Sequence, residues 1–187
     1  MKKLLGLASV AALIAGMTIT TARADMYVEG SAGITTQDEL DWDGFGYDMD
    51  DGWNASFAIG HSMWGNWDVE AEFSYDEMEY SCCNPNNTHE YRLMGNATYN
   101  FSVGGFTPYV GGGVGAAFVT YENSASESEA TVAAYQLIGG VRVPLGDAWS
   151  LFGEYRYQGT FEDPEDNGLE WEHNGHNWAF GARLNLN

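Results

Sequence analysis

Eight segments of the chain alternate between apolar and polar residues, and each is about as long as a tilted strand that crosses a bilayer. The clearest is WDVEAEFSYDEMEY, residues 67–80, where the apolar residues from Trp67 to Tyr75 hold the odd positions. Asp68, Glu70 and Glu72 hold even positions, so three carboxylates lie in a row on one face of a strand. The pattern predicts strands with an acidic face that must meet either water or a closed lumen.

The connections between these segments alternate in length. The predicted strands are residues 27–35, 53–61, 67–80, 91–101, 107–121, 132–143, 149–158 and 176–187. Short connections, 62–66, 102–106 and 144–148, alternate with long acidic ones, 36–52, 76–90, 122–131 and 159–175, and residues 76–80 suit either a loop or a strand extension. Short turns at one end and long loops at the other are typical of outer-membrane barrels. The predicted fold class is all-β, an eight-stranded antiparallel up-and-down transmembrane β-barrel.

The N-terminus has the pattern of an export signal. Lys2 and Lys3 precede an apolar run over residues 4–17, and Ala22-Arg23-Ala24 fits a cleavage site. We therefore predict a signal peptide over residues 1–24 and one barrel domain over residues 25–187. No later stretch approaches the roughly 20 apolar residues that a membrane-spanning helix needs.

The charge of the predicted mature chain is strongly negative. The whole chain has a formal charge of −20, but three of its seven basic residues lie in the signal. Four arginines then face all 27 acids, a charge of about −23, and no lysine remains. Nucleic acid is not expected as a partner, because phosphate binding relies on clustered Lys and Arg. The predicted location is the bacterial outer membrane, with loops outside the cell.

The charged residues of the strands lie on their polar faces. Five acids and four arginines therefore share one predicted lumen: Glu29, Asp68, Glu70, Glu72, Glu154, Arg92, Arg142, Arg156 and Arg183. An eight-stranded barrel is only wide enough for side chains to fill it. We expect a plug of ion pairs, because one guanidinium can bind two carboxylates.

Glycines and aromatic residues also have positions that suit a narrow barrel. Gly111, Gly113 and Gly115 share one face of a strand, where they leave room for bulky side chains or ease curvature. Aromatic residues near strand ends suit the girdles at the two membrane interfaces: Tyr27, Trp53, Trp67, Tyr91, Trp149, Tyr157 and Trp178.

Three stretches give the chain a family resemblance. They are YVEGSAGI after the signal, the glycine-rich FTPYVGGGVGAAF (residues 106–118) and the closing WAFGARLNLN. The chain resembles small outer-membrane barrels of the opacity-type adhesin and outer membrane protein A or X group. The resemblance implies recognition through extracellular loops. In the closing strand, Gly181, Leu184 and Leu186 match the signal read by the barrel-assembly machinery.

The long loops contain two candidate sites. Cys82 and Cys83 are neighbours in the second long loop, and an exported chain permits a disulfide there, although two thiols without function fit equally well. Glu170, Glu172, His173 and His176 suit solvated positions better than a metal site. We predict no metal site, cofactor or catalytic residue.

The predicted function is non-enzymatic: an adhesin-like or envelope-structural barrel, expected to be a monomer. The residues expected to interact lie in the acidic loops: Trp42, Asp43, Asp48, Asp50, Asp51 and Trp171. A basic extracellular ligand of unknown identity suits them, as does lipopolysaccharide bridged by divalent cations. The alternatives are a lipid A-modifying barrel enzyme and a narrow channel. The His61-Ser62 pair argues against the enzyme, because it falls in a predicted periplasmic turn.

Overall fold

The structure, a computed structural model, describes residues 26–37, 40–42, 45–47, 52–63, 65–79, 87–123, 126–161 and 174–186. These contain ten strands: β1 (Met26–Gln37), β2 (Leu40–Trp42), β3 (Phe45–Tyr47), β4 (Gly52–Met63), β5 (Trp67–Glu79), β6 (Asn87–Asn100), β7 (Thr107–Asn123), β8 (Ser126–Pro144), β9 (Trp149–Thr160) and β10 (Gly175–Asn185). No helix among them is long and apolar enough to cross a membrane.

Eight of the strands form one closed barrel. Their order around it is β1-β10-β9-β8-β7-β6-β5-β4, and neighbours pair antiparallel. The first and last strands close the ring, with Glu29 opposite Arg183. The remaining strands, β2 and β3, pair only with each other inside the first long connection. The predicted fold class is confirmed.

The barrel is apolar outside and polar inside. In β9, Trp149 and Leu151 are half exposed on the outer surface, whereas Glu154, Arg156 and Gln158 are buried. A soluble protein has the reverse arrangement. An apolar outer surface suits a barrel surrounded by lipid, because hydrocarbon offers no partners for polar side chains.

Glycine makes the three short turns at one end of the barrel. Gly65, Gly104 and Gly146 have φ values of 70°, 62° and 134°, a region that other residues rarely adopt. The chain termini of the barrel lie at the same end. We call it the periplasmic end, following the predicted topology, and the opposite end the outer end.

At the outer end, strands extend into the segments predicted as long loops. β6 begins at Asn87, and the β7–β8 hairpin extends to Asn123 and Ser126, whereas β5 ends at Glu79, in agreement with the strand extension left open for residues 76–80. The predicted loops 76–90 and 122–131 are therefore wrong in their bounds. Beyond the lipid, both faces of a strand are polar, so the alternation that marks a strand in the sequence disappears.

Candidate functional site: the barrel lumen and the outer sheet edge

At the periplasmic end, two arginines and two acids form a buried cluster. Arg183 bonds Glu29 through Nε, and its Nη1 donates to Asp68 Oδ2 at 2.9 Å. Arg142 approaches the same two carboxylates at 3.5 and 3.6 Å. Ser62 Oγ also donates to Asp68 at 2.7 Å, because His61 and Ser62 belong to β4 and not to the predicted turn. Two positive and two negative charges balance at this level.

Two tyrosines cover these arginines. The Tyr27 ring lies 3.5 Å from Arg183 Cζ and the Tyr109 ring 4.9 Å from Arg142 Cζ, both within cation–π range. The predicted place of Tyr27 in an aromatic girdle is wrong, since its side chain is buried in the lumen. Position 27 shares the parity of Glu29, which was the sequence signal for this orientation.

Glycines give these aromatic rings their space. Tyr27 lies opposite Gly60, Tyr109 opposite Gly140, and Phe152 opposite Gly181. At each of these glycines a Cβ would overlap the facing ring. Glycine paired with an aromatic residue on the next strand is a known way to build a curved barrel. The glycines predicted to share one face of β7 also leave room for a facing side chain: a Cβ on Gly113 would overlap the Asn96 side chain.

Halfway along the barrel, acids outnumber arginine. Arg156 Nη1 donates to Glu72 Oε1 at 2.5 Å, and Nη2 pairs with Glu154. Glu70 and Glu72 each accept a hydrogen bond of 3.0 Å from the same amide nitrogen of Asn96. Tyr27 donates to the other oxygen of Glu70 at 3.2 Å.

A chain of side-chain amides leads from these acids to the outer end. Gln136 donates to Asn96 at 2.8 Å, Gln158 donates to Gln136 at 3.2 Å, and Asn177 donates to Gln158 at 3.1 Å. Each amide in this chain donates toward the acids. This series of amides was not predicted, although all four amides lie on predicted polar faces.

The outer level of the lumen contains two acids that were predicted to lie in the solvated second loop. Asp76 accepts hydrogen bonds from Thr35 at 3.0 Å and Asn177 at 2.9 Å. Glu90 pairs with Arg92 at 2.5 Å. Both acids are buried, with 2% and 1% of their surface exposed, so the loop assignment of these two is wrong. Among the described residues, the lumen therefore buries seven acids and four arginines.

These bonds cross the lumen between strands that are not neighbours in the ring. Arg183 and Asn177 on β10 reach Asp68 and Asp76 on β5, and Arg156 on β9 reaches Glu72. Within the described segments, no group of three or more His, Cys, Asp and Glu side chains could hold a metal ion. Chemically, this arrangement cross-links the barrel from inside.

The aromatic residues of the outer surface fall into two belts. Trp67 and Trp149 are exposed near the periplasmic end, and Trp53, Tyr91 and Trp178 near the outer end. Histidines join the outer belt: Tyr75 Oη lies 2.7 Å from His89 Nδ1, and Tyr155 Oη lies 2.6 Å from His176 Nδ1. Tyr157 lies in the same outer belt, with its ring centroid 5.4 Å from that of His176. Six of the seven predicted girdle residues thus lie on the outer wall.

A second surface of interest is the part of β8 above the barrel. β8 pairs with β7 as far as Ser126, but with β9 only from Ala134, opposite Thr160. Phe161 N–H donates to Ala133 O at 2.9 Å and completes that ladder. Residues 126–132 of β8 thus pair on one side only within the described part of the chain, and form what we call the β8 edge.

Most of the predicted loop residues lie outside the described segments. This holds for Cys82, Cys83, Asp43, Asp48, Asp50, Asp51 and Trp171, and for the predicted signal peptide. Trp42 ends β2, opposite Phe45.

Comparison with solved structures places the fold among bacterial outer-membrane proteins. Neisserial surface protein A is 14% identical, with a TM-score of 0.70 over 87% of this chain and 97% of that one. A major outer membrane protein of Thermus thermophilus is 12% identical, with a TM-score of 0.60 over 88% and 100%. Ail of Yersinia pestis, in complex with the heparin analogue sucrose octasulfate, is 12% identical, with a TM-score of 0.54 over 86% and 98%.

No curated protein matches the chain. The family described as outer membrane protein beta-barrel domain matches residues 4–185, nearly the whole length. The closed, inside-out barrel is the structure that this match requires. The chain belongs to the outer membrane protein beta-barrel family.

Proposed function

We propose that this protein is a non-enzymatic surface-interaction barrel that presents the β8 edge and its acidic surroundings to a basic partner outside the cell. The observation that carries this proposal is the unequal extension of the strands. Within the described part of the chain, β8 runs seven residues beyond its last hydrogen bond on the β9 side, from Ser126 to Val132. An unpaired edge offers N–H and C=O groups to an added strand, which gains main-chain hydrogen bonds.

Charge selects the kind of partner. The outer part of the β7–β8 hairpin contains Glu122, Glu127 and Glu129, and the chain has no Lys or Arg between Arg92 and Arg142. Acidic surroundings attract an extended segment rich in Lys or Arg and repel polyanions. The heparin analogue bound to Ail is such a polyanion. We expect this chain to differ from Ail and to bind no sulfated polysaccharide.

The lumen supports a structural role for the barrel below this edge. Direct bonds across the lumen favour a cross-linked plug over the narrow channel. Lipopolysaccharide bridged to the acidic loops by divalent cations remains a second partner, since both surfaces are anionic. The closing strand, with exposed Leu186 beside Leu184, suits recognition by the assembly machinery.

Proline substitutions test the β8 edge. Because Ala133 O faces β9, the backbone of Thr131 faces the open edge, and that of Ala130 faces β7. Thr131→Pro removes only an edge donor and should weaken strand addition while the barrel stays intact. Ala130→Pro removes a bond within the hairpin and should loosen the hairpin itself.

The assay is binding of polylysine and of heparin to whole cells and to protein in lipid vesicles. We expect polylysine binding that weakens with salt and drops in Thr131→Pro and in the double variant Glu127→Gln, Glu129→Gln. Equal binding by all variants would refute the edge as the binding surface. Mass spectrometry of lipid A from cells with and without the protein tests the enzyme alternative, and a changed lipid A would overturn the proposal.

A further inference from the structure

The outer wall of the barrel carries a groove across β5, β6, β7 and β8. Its volume is about 580 Å³. Four small residues form its floor: Ala71, Gly95, Ala97 and Gly112. They are cross-strand neighbours, since Ala71 lies opposite Gly95 and Ala97 opposite Gly112. Because these four residues have little or no side chain, the outer surface is recessed over one connected patch.

Large apolar side chains surround this floor. Leu93, Val114 and Leu137 stand beside it, and the latter two are half exposed. Tyr135 and Phe161 lie at its outer end, with ring centroids 5.2 Å apart. The polar residues beneath the floor point into the lumen, where Asn96 and Gln136 bond to each other. The floor and sides of the groove therefore offer mainly hydrocarbon contacts.

The position of the groove in the membrane follows from β5. Trp67 marks the periplasmic belt and Tyr75 the outer belt, so Ala71 lies halfway between them. From there the groove extends toward Tyr135 in the outer half. It is continuous with the lipid-facing wall, which elsewhere carries large exposed residues such as Phe57, Phe73 and Phe180.

We propose that this groove is a binding site for one acyl chain of an outer-membrane lipid. A cavity of this size lies within the range of about 300–1,000 Å³ typical of ligand sites. An empty groove would leave its lining without dispersion contacts, and a straight hydrocarbon chain restores them. This site does not depend on the proposed surface partner.

A second copy of the chain is the competing occupant. Phe180 is the most exposed large apolar side chain on the described part of the wall, at 77%, and β10 lies opposite β6 in the ring. Phe180 of one copy inserted into the groove of another would make a head-to-tail contact that does not close. Lipid surrounds the groove at all times, so the acyl chain is the favoured occupant.

Filling the groove tests the proposal. Ala71→Phe places a ring on its floor, whereas Gly139→Leu adds a side chain elsewhere on the wall, where a Cβ meets nothing within 4 Å. Each protein is refolded without lipid in a mild detergent. Phosphatidylethanolamine with 14-carbon chains is then added, and lipid-bound masses are counted by native mass spectrometry. Heat-modifiable migration on gels verifies folding.

We expect one retained lipid on the natural protein and on Gly139→Leu, and at least a tenfold lower bound fraction on Ala71→Phe. Equal retention by the natural protein and Ala71→Phe would overturn the proposal, and so would no retention by any of them. Dimer masses that disappear in Phe180→Ala would assign the groove to a second copy and also overturn it.

Discussion

Replacing Arg183 by glutamine is the sharpest test of the lumenal network. Arg183 bonds both Glu29 and Asp68, lies under the Tyr27 ring and is only 4% exposed. Glutamine keeps the stem as far as Cδ and one amide donor, but it removes the charge and the terminal nitrogens of the guanidinium. The two carboxylates would then share Arg142 alone, which contacts them at 3.5 and 3.6 Å.

The magnitude follows from the cost of a buried, unpaired charge. Removing one partner of a buried ion pair costs about 3–5 kcal/mol. Losing the cation–π contact with Tyr27 adds about 0.5–2 kcal/mol. Arg142 and water entering from the periplasmic end offset part of this, so we expect a loss near the lower bound, about 3 kcal/mol. Arg183→Lys should lose less, because it retains the charge without the planar fork.

The assay is unfolding by urea in lipid vesicles, monitored by tryptophan fluorescence. In the double variant Arg183→Gln, Asp68→Asn, one of the unpaired charges is gone, and we expect part of the lost stability to return. A loss below about 1 kcal/mol for Arg183→Gln would refute the reasoning, because the cost of a buried pair could then not apply. It would mean that water already screens the cluster.

Three further outcomes follow from the same geometry. Gly113→Ala should destabilise the barrel by about 1–3 kcal/mol, because its Cβ would overlap Asn96, whereas Gly139→Ala should change the unfolding free energy by less than about 0.5 kcal/mol. Gln136→Leu should cost about 2 kcal/mol in the same urea assay, because it leaves Asn96 Oδ1 without its donor; a neutral result would show that water replaces the amide. Planar-bilayer recordings should show no conductance steps, and stable steps would contradict the cross-linked lumen.

Alternation predicted the barrel well because lipid enforces it. Between Trp67 and Tyr75, every outward position must be apolar and every inward one can be polar, so the sequence records the wall. The same parity orients Tyr27 inward, but its place near a strand end favoured the girdle instead. Beyond the lipid, the sequence no longer shows this alternation. Asp76 and Glu90 follow the inward parity of β5 and β6, yet their acidic neighbourhood resembles a loop.

The sequence could not predict which lumenal side chains bond to each other, and the reason is different. Parity shows that Arg156 and Glu72 face inward, but their contact depends on the stagger of strands that lie apart in the ring. The aromatic–glycine pairs have the same origin. Tyr109 and Gly140 become neighbours only through the register of β7 and β8, and that register depends on where the turn of the hairpin falls within the predicted loop 122–131.

Because the lumen contains more acids than arginines, the series of side-chain amides has a role in stabilising the acids. Glu70 accepts its hydrogen bonds from Asn96 and Tyr27, which are both neutral donors. Buried carboxylates require donors, and neutral amides supply them without adding charge. Since Gln158, Gln136 and Asn96 all donate in the same direction, their dipoles point positive ends toward Glu70 and Glu72. A chain of aligned hydrogen bonds strengthens each member in a medium of low dielectric constant. The outer half of the barrel thus contributes to the stability of acids in its middle through neutral side chains alone.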